Sequence, residues 1–167
     1  INLNKKPYEI TSALNEQPEH LRPHGISLHI DEKGKRHLAV INHPKNRGLE
    51  PENVDLFSEE NNGVFKYIKT ISDPLFQSPN DLLLVSKNQF YVGNDKGGKT
   101  SLDKIQENLG RPMSNIAYFD GNSTSVAARN LSQVSGINIS NDQNLIFASE
   151  TTAKRISVFH RNMDNGT

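Results

Sequence analysis

Imidazole, carboxylate and amide side chains recur in this chain at spacings that group them. A small or polar pair opens an apolar stretch three times, as His24-Gly25-Ile26-Ser27-Leu28, Asn80-Asp81-Leu82-Leu83-Leu84 and Ser135-Gly136-Ile137-Asn138-Ile139, at intervals of 56 and 55 residues. His43 follows His24 by 19 residues, in Ile41-Asn42-His43-Pro44. A hairpin would return both histidines to one end of a sheet. Two imidazoles side by side could act as a dyad, the first taking a proton from water and the second orienting it or relaying through its other ring nitrogen. Asn80 and Asp81 carry hard oxygens suited to calcium, which takes about 6 to 8 such donors. Each feature also has an ordinary reading. Either histidine fits a surface or hydrogen-bonding role, and Asn-Asp after Pro79 fits a turn. The fixed period favours a shared site. His20, His29, His37 and His160 fit the ordinary role, with His29 and His37 at outward positions of their strands.

The elements that must hold these groups follow from the same period. Ile26, Leu28 and Ile30 alternate with polar residues, Asp31-Glu32-Lys33-Gly34 forms a turn, and His37 to Ile41 forms a second strand. Val54, Leu56 and Phe57 predict a third strand, and Val64 to Ile71 a fourth, joined through Asn61-Asn62-Gly63. The second unit repeats this order with Leu82 to Val85, Phe90 to Val92, Ile116 to Phe119 and Val126 to Ala128. The third runs Ile137 to Ile139, Leu145 to Ala148 and Ile156 to Phe159, and then stops. Sheets repeated at this period predict the blades of a β-propeller, because one such sheet cannot bury both faces alone. The expected fold class is all-β: about three four-stranded blades, with repeat units near 24–78, 80–133 and 135–167, forming half of a ring of about six. An uncovered apolar blade face is expected at each end, to be met by further blades of the chain or by another copy. One segment departs from the pattern. Leu102, Ile105 and Leu109 have helical spacing, Thr100 or Ser101 is an N-cap, and Gly110 is a stop, so a short helix is expected inside a long loop at one end of the ring.

In a propeller the residue opening each innermost strand lies near one mouth of the central channel, so His24, Asn80 and Ser135 are expected on an arc facing a common point. Asn94 and Asp95 occupy the place of His43 in the second unit. With 19 acidic and 19 basic residues and no basic cluster, the chain lacks the electrostatic footprint of a nucleic-acid binder. No apolar run approaches membrane-spanning length. The chain has no Cys, which excludes disulfides, thiolate metal sites and a thiol nucleophile within it. Four Asn-x-Ser/Thr matches, at Asn122, Asn130, Asn138 and Asn165, lean toward an extracytoplasmic compartment. The start at Ile rather than Met leads us to expect processing or truncation. No phosphate-binding loop, dinucleotide fingerprint, nucleophile elbow or His-Glu-x-x-His zinc motif is present.

Pro23-His24-Gly25-Ile26-Ser27, Ile41-Asn42-His43-Pro44, Pro79-Asn80-Asp81, Phe90-Tyr91-Val92-Gly93-Asn94-Asp95 and Gly136-Ile137-Asn138-Ile139-Ser140 together resemble the serum paraoxonase/arylesterase family. The resemblance implies a six-bladed propeller with two calcium ions in its central tunnel and an esterase or lactonase site above the upper ion. It implies that His24 and His43 match a histidine dyad and that Asn80 matches a ligand of the catalytic calcium. It further implies that Asp81 and the backbone carbonyl of Ile26 match ligands of the structural calcium. Ser135 stands where the family pattern supplies a second Asn to the catalytic ion. The remaining ligands are expected outside these residues, so this span alone is expected to be inactive. A calcium-stabilised binding or scaffold module, and a propeller enzyme of the strictosidine-synthase or gluconolactonase type, are the other readings these residues leave open. The partner expected of the catalytic reading is a small ester or lactone.

Overall fold

The computed structural model describes residues 18–61, 63–97 and 100–166. Asn62 of the expected turn and Thr167 of the last repeat lie outside it. Eleven strands and one helix form three antiparallel sheets among these residues. The first contains β1 (Pro23–Ile30), β2 (Arg36–Asn42), β3 (Asn53–Asn61) and β4 (Val64–Ser72) in chain order. The second contains β5 (Pro79–Leu84), β6 (Phe90–Asn94), β7 (Ser114–Phe119) and β8 (Thr124–Leu131), again in chain order. The third contains β9 (Val134–Ile139), β10 (Leu145–Glu150) and β11 (Arg155–His160). Helix α1 (Ser101–Asn108) interrupts the second sheet between β6 and β7. The all-β expectation therefore holds, with four, four and three strands in successive units.

Strand periodicity explains how the sheets stack. Alternate residues of a strand point to opposite faces, and the middle sheet uses both. Leu82, Leu84, Phe90, Val92, Ala117 and Phe119 pack against Ala39, Ile41, Val54 and Leu56 of the first sheet. From the other face Leu83, Tyr91, Ile116 and Tyr118 pack against Val134, Ile137, Ile146 and Ala148 of the third. Two apolar layers thus flank the second sheet. Among the described residues, the sheets at either end have a partner on one side only. Ile26, Leu28 and Ile30 stay 63%, 52% and 59% exposed, and Ile156 and Val158 on β11 are also exposed.

This arrangement reverses the expectation for the first hairpin. β1 pairs with β2 so that His29 faces His37 and Ser27 faces Ala39. Ala39 belongs to the layer against the second sheet, and Ser27 Oγ accepts a hydrogen bond from Leu84 N at 2.9 Å. His29 and His37 therefore share the face turned toward the second sheet, while Ile26, Leu28 and Ile30 take the free face. His37 is buried, with Nε2 3.2 Å from Asp31 Oδ2 and Nδ1 3.3 Å from Ser58 Oγ. Burial lowers the His29 pKa, and His37 opposite adds to that effect. Apolar alternation marks a face, but it does not say which face meets a neighbour.

Helix α1 begins as expected. The Thr100 hydroxyl accepts from Asp103 N at 3.2 Å, and the Asp103 carboxylate accepts from Thr100 N at 2.8 Å, a reciprocal capping box. Gly110 ends it at φ +79°, where a glycine has no steric cost. Leu102, Ile105 and Leu109 are exposed, so the caps and the Glu107 Oε1 contact to Gly97 N at 2.7 Å hold this segment rather than apolar packing on it.

β1 and β5 meet backbone to backbone at Gly25. A Cβ there would lie 2.8 Å from the Asn80 carbonyl oxygen and 2.9 Å from the Asp81 Cα, neither of which is a flexible side-chain end. Gly25→Ala is therefore expected to cost about 1–3 kcal/mol, as overpacking does, and to lower the urea midpoint of unfolding. A midpoint equal to that of the parent protein would contradict the close approach.

Candidate functional site

Each innermost strand begins with one extra residue. In β1 the register passes from Pro23↔Asn42 to Ile26↔Val40, in β5 from Pro79↔Asn94 to Asp81↔Gly93, and in β9 from Val134↔Glu150 to Gly136↔Ser149. The insertions are β-bulges, which free a residue from the ladder and re-aim its side chain. They fall at His24-Gly25, Asn80 and Ser135, the residues that open the sequence repeat. β1 lies beside β5 through the Gly25 contact. β5 lies beside β9 because Asp81 Oδ2 accepts from Ile137 N at 3.0 Å. The three openings therefore stand in consecutive order at one end of the sheets, with Gly25, the residue after His24, against the Asn80 carbonyl.

A buried polar side chain fixes that end in every unit. Asn42 Oδ1 accepts from Arg22 N at 2.7 Å while its Nδ2 donates to the His20 carbonyl at 2.9 Å. Asn94 does the same in the second unit, accepting from Ser78 N at 3.0 Å and donating to the Leu75 carbonyl at 2.9 Å. In the third unit Glu150 Oε2 accepts from Ser132 N at 2.7 Å. All three residues end the second strand of their sheet and are buried. Burial alone would push the Glu150 carboxyl up, but hydrogen bonds from Arg155, Ser157 and the Ser132 amide outweigh it and hold the group below the ordinary value. The residues that follow, His43, Asp95 and Thr151, donate their backbone N–H to Arg22, Ser78 and Gln133 respectively. That places them at the mouth beside the strand openings. Of the two residues expected in the place of His43, the structure buries Asn94 as the clamp and leaves Asp95 as the mouth residue.

The two histidines meet. His24 Nδ1 lies 2.8 Å from His43 Nε2, with ring centroids 5.0 Å apart and planes at 63°. His24 is exposed, whereas the His43 side chain is largely buried. Behind His43 stands a residue that sequence reasoning did not single out. The buried carboxylate of Glu52 places Oε2 2.5 Å from His43 Nδ1, and its Oε1 accepts from Arg47 Nε at 2.8 Å. Glu52 lies nine residues after His43, at the end of a polar loop. Its only sequence signal was a carboxylate just ahead of a strand that pairs with the His43 strand.

Ser135 occupies the third opening, and its hydroxyl pairs with Thr151 Oγ1 and lies 3.3 Å from Ser149 Oγ. It thus matches His24 and His43 in position, with two hydroxyls in place of two imidazoles. Both Asp81 oxygens accept backbone N–H groups, Oδ1 from Leu82 at 2.9 Å and Oδ2 from Ile137. Asp81 fills space left by glycines on either side, since Gly25 abuts its Cα and the Cβ point of Gly136 lies 4.0 Å from its Oδ2. Ile26 closes the first bulge with its side chain exposed. Among the described residues no group of three or more His, Cys, Asp or Glu is arranged to hold a metal ion. The donors here are hard oxygens of the kind calcium takes. Asp81 is the one carboxylate among the expected ligands.

The loop carrying α1 leaves from Asn94 and returns at Ser114, so it stands at the same end as the histidines. Between it and the third sheet is a cavity of about 250 Å³, lined by Asp95, Lys96, Arg111, Gln133 and Thr152 among others.

Beneath Asn42 the fully buried carboxylate of Asp55 accepts from Asn42 Nδ2 at 2.7 Å and from the Thr70 hydroxyl. Burial pushes the Asp55 carboxyl above its ordinary value, more strongly than those two hydrogen bonds lower it. The folded state therefore binds this proton more tightly than the unfolded chain does. The associated stability is full below the ordinary carboxylate range, about pH 4, and is lost as pH rises through the raised folded value. Asp55→Asn, which cannot titrate, is expected to remove this dependence. Urea unfolding at a series of pH values should show the parent protein losing stability relative to the variant as pH rises from about 4, and a constant difference would refute it.

Comparison with known proteins bears on this geometry. The family model described as Arylesterase matches residues 4–167. The chain is 34% identical over 145 residues to serum paraoxonase/arylesterase 2 of Bos taurus, covering 85% of this chain and 40% of that protein. It is 29% identical over 167 residues to serum paraoxonase/lactonase 3 of Mus musculus, covering 98% of this chain and 46% of that protein. The chain thus spans less than half the length of these relatives. Among solved structures, a candidate 6-phosphogluconolactonase from Bacteroides uniformis superposes with a TM-score of 0.58 at 19% identity, covering 89% of this chain and 38% of that one. At that identity the likeness is one of fold.

Proposed function

The chain belongs to the arylesterase family, and from that premise we propose that the intact protein is a calcium-dependent hydrolase of aryl esters or lactones. The three sheets here would form half of its six-bladed ring. The observation that carries the reading is the 2.8 Å contact between His24 and His43 at the end of the sheets where Asn80 opens the neighbouring strand. His24 Nδ1 is committed to His43, so His24 Nε2 is the nitrogen left to take a proton from water. His43, largely enclosed and tied on its far side, holds the His24 ring in one orientation. Asn80 and Asp81 would hold calcium with their side chains, Ile26 with its carbonyl and Ser135 with its hydroxyl. The amides and carboxylates needed to complete either coordination sphere would come from the rest of the protein. Bound calcium would supply polarisation of the substrate carbonyl and stabilisation of the oxyanion.

One observation favours a second reading, a calcium-stabilised binding module without turnover. Ser135, shorter than the Asn that the family resemblance implies, has its hydroxyl engaged by Thr151 and Ser149. A weakened upper site would follow from that substitution.

Kinetics on the full-length protein distinguish the two. His24→Gln and His43→Gln are each expected to lower kcat on an aryl ester by about 10²–10⁴-fold. The rate of the parent enzyme should fall toward acid pH, because only a neutral imidazole accepts the proton, and this limb should vanish from the residual activity of both variants. Removal of calcium by a chelator should abolish turnover. Calcium that raises Tm while aryl esters and lactones both remain intact would establish the binding module instead.

A further inference from the structure

We propose that Glu52, braced by Arg47, is a positioning residue that sets the tautomer of His43 and, through it, that of His24. The kinetic part of this proposal rests on the hydrolase reading above, whereas the tautomer part stands without it.

The argument follows the hydrogen bonds inward from the carboxylate. Glu52 Oε1 accepts from Arg47 Nε at 2.8 Å, and Oε2 lies 2.5 Å from His43 Nδ1. A carboxylate so placed is an acceptor toward both neighbours, so His43 Nδ1 must carry the hydrogen. A neutral imidazole with Nδ1–H has a lone pair on Nε2, which can only accept. His24 Nδ1, 2.8 Å away, therefore donates to it. That leaves the lone pair of His24 on Nε2, the atom that faces away from the dyad. One carboxylate two residues removed from the exposed imidazole thus fixes which nitrogen is basic. Without it His43 could turn the chain of donors round, and His24 would present an N–H to the water it is meant to deprotonate. Among the described residues, the charged and titratable groups facing His43 are His24 from β1 and Glu52 from the loop before β3, with Arg47 behind Glu52.

The loop is built to deliver this pair. Leu49 N and Glu50 N both donate to the Asn46 carbonyl at 3.1 Å, and Asn46 Nδ2 donates to Glu50 Oε1 at 2.6 Å. Gly48 turns at φ +83°, in the left-handed region. The loop thereby folds back on itself, and Arg47 returns to Glu52. Arg47 also comes within 3.5 Å of Ser78 Oγ, which donates to Asp95, so the brace extends to the mouth residue of the second sheet.

The test is long-range ¹H–¹⁵N NMR on the full-length protein with ¹⁵N-labelled histidine, together with steady-state kinetics on an aryl ester. In the parent protein both His24 and His43 should appear as Nδ1–H tautomers; His43 observed as Nε2–H overturns the proposal with no variant needed. Glu52→Ala should release His43 from a single tautomer and lower kcat by about 10–100-fold, with KM changed by less than about twofold. Glu52→Gln, which keeps an acceptor oxygen, should retain the tautomer and most of kcat. Should Glu52→Ala fail to fold, Arg47→Ala, at an exposed guanidinium, should give a partial loss of the same NMR signature. An unchanged tautomer in Glu52→Ala, or in Arg47→Ala where that variant stands in, refutes the proposal. If the parent protein hydrolyses no ester or lactone while the tautomers are as stated, the hydrolase reading fails and the assignment of Glu52 stands.

Discussion

The structure depends on satisfying the backbone of the chain as it enters each innermost strand. The amide bonded there is partly enclosed in the first two units and buried in the third, and an unpaired buried amide costs roughly 1–3 kcal/mol. Asn42 and Asn94 solve this with one side chain that both accepts from and donates to the incoming backbone. Glu150 solves it with a carboxylate that must then be neutralised, and Arg155 meets it with two N–H donors at 2.8 and 3.1 Å. The third unit therefore uses a charge pair where the others use an amide. Each clamp is itself held by a later strand of its sheet, through Asp55, Asn115 or Ser157.

The clamp makes a site possible because it fixes two positions at once. In the first two units the entering strand starts one residue after the gripped amide and bulges at the residue after that, and the residue following the clamp donates its own N–H to the carbonyl of the gripped residue. Two side chains are thus brought to the mouth from residues far apart in sequence. In the first unit they are His24 and His43, and in the third Ser135 and Thr151. The geometry is repeated, with an imidazole pair in the first copy where the third has two hydroxyls. This separation of scaffold from reactive groups explains how a propeller-like fold can serve different activities with the same frame.

Strand order, the three-unit period and α1 with a cap at Thr100 or Ser101 could all be read from residue types. They rest on local rules: alternation, turn residues, and caps that act within a few positions. The errors share a different cause. Ile26, Leu28 and Ile30 form an apolar face, but whether it meets the second sheet or stays open depends on which way the first sheet is turned. His37 was placed outward on the same alternation and lies buried beside Asp31 and Ser58. Asn94 and Asp95 together occupy the place of His43 in the second unit, yet one step along a strand reverses the direction of a side chain.

The linear chain dictated which segments form strands and in what order, because hydrophobic alternation and turn chemistry are properties of short segments. It also dictated which residue types recur at the strand openings, and hence what chemistry is available there. Packing settled the rest. Which face of a sheet is covered, which asparagine is a clamp, and that Glu52 stands behind His43 are outcomes of sheets pressed side by side. Contacts made by loops and between sheets leave no periodic trace in sequence, since any loop of suitable length could have brought a different carboxylate to that imidazole.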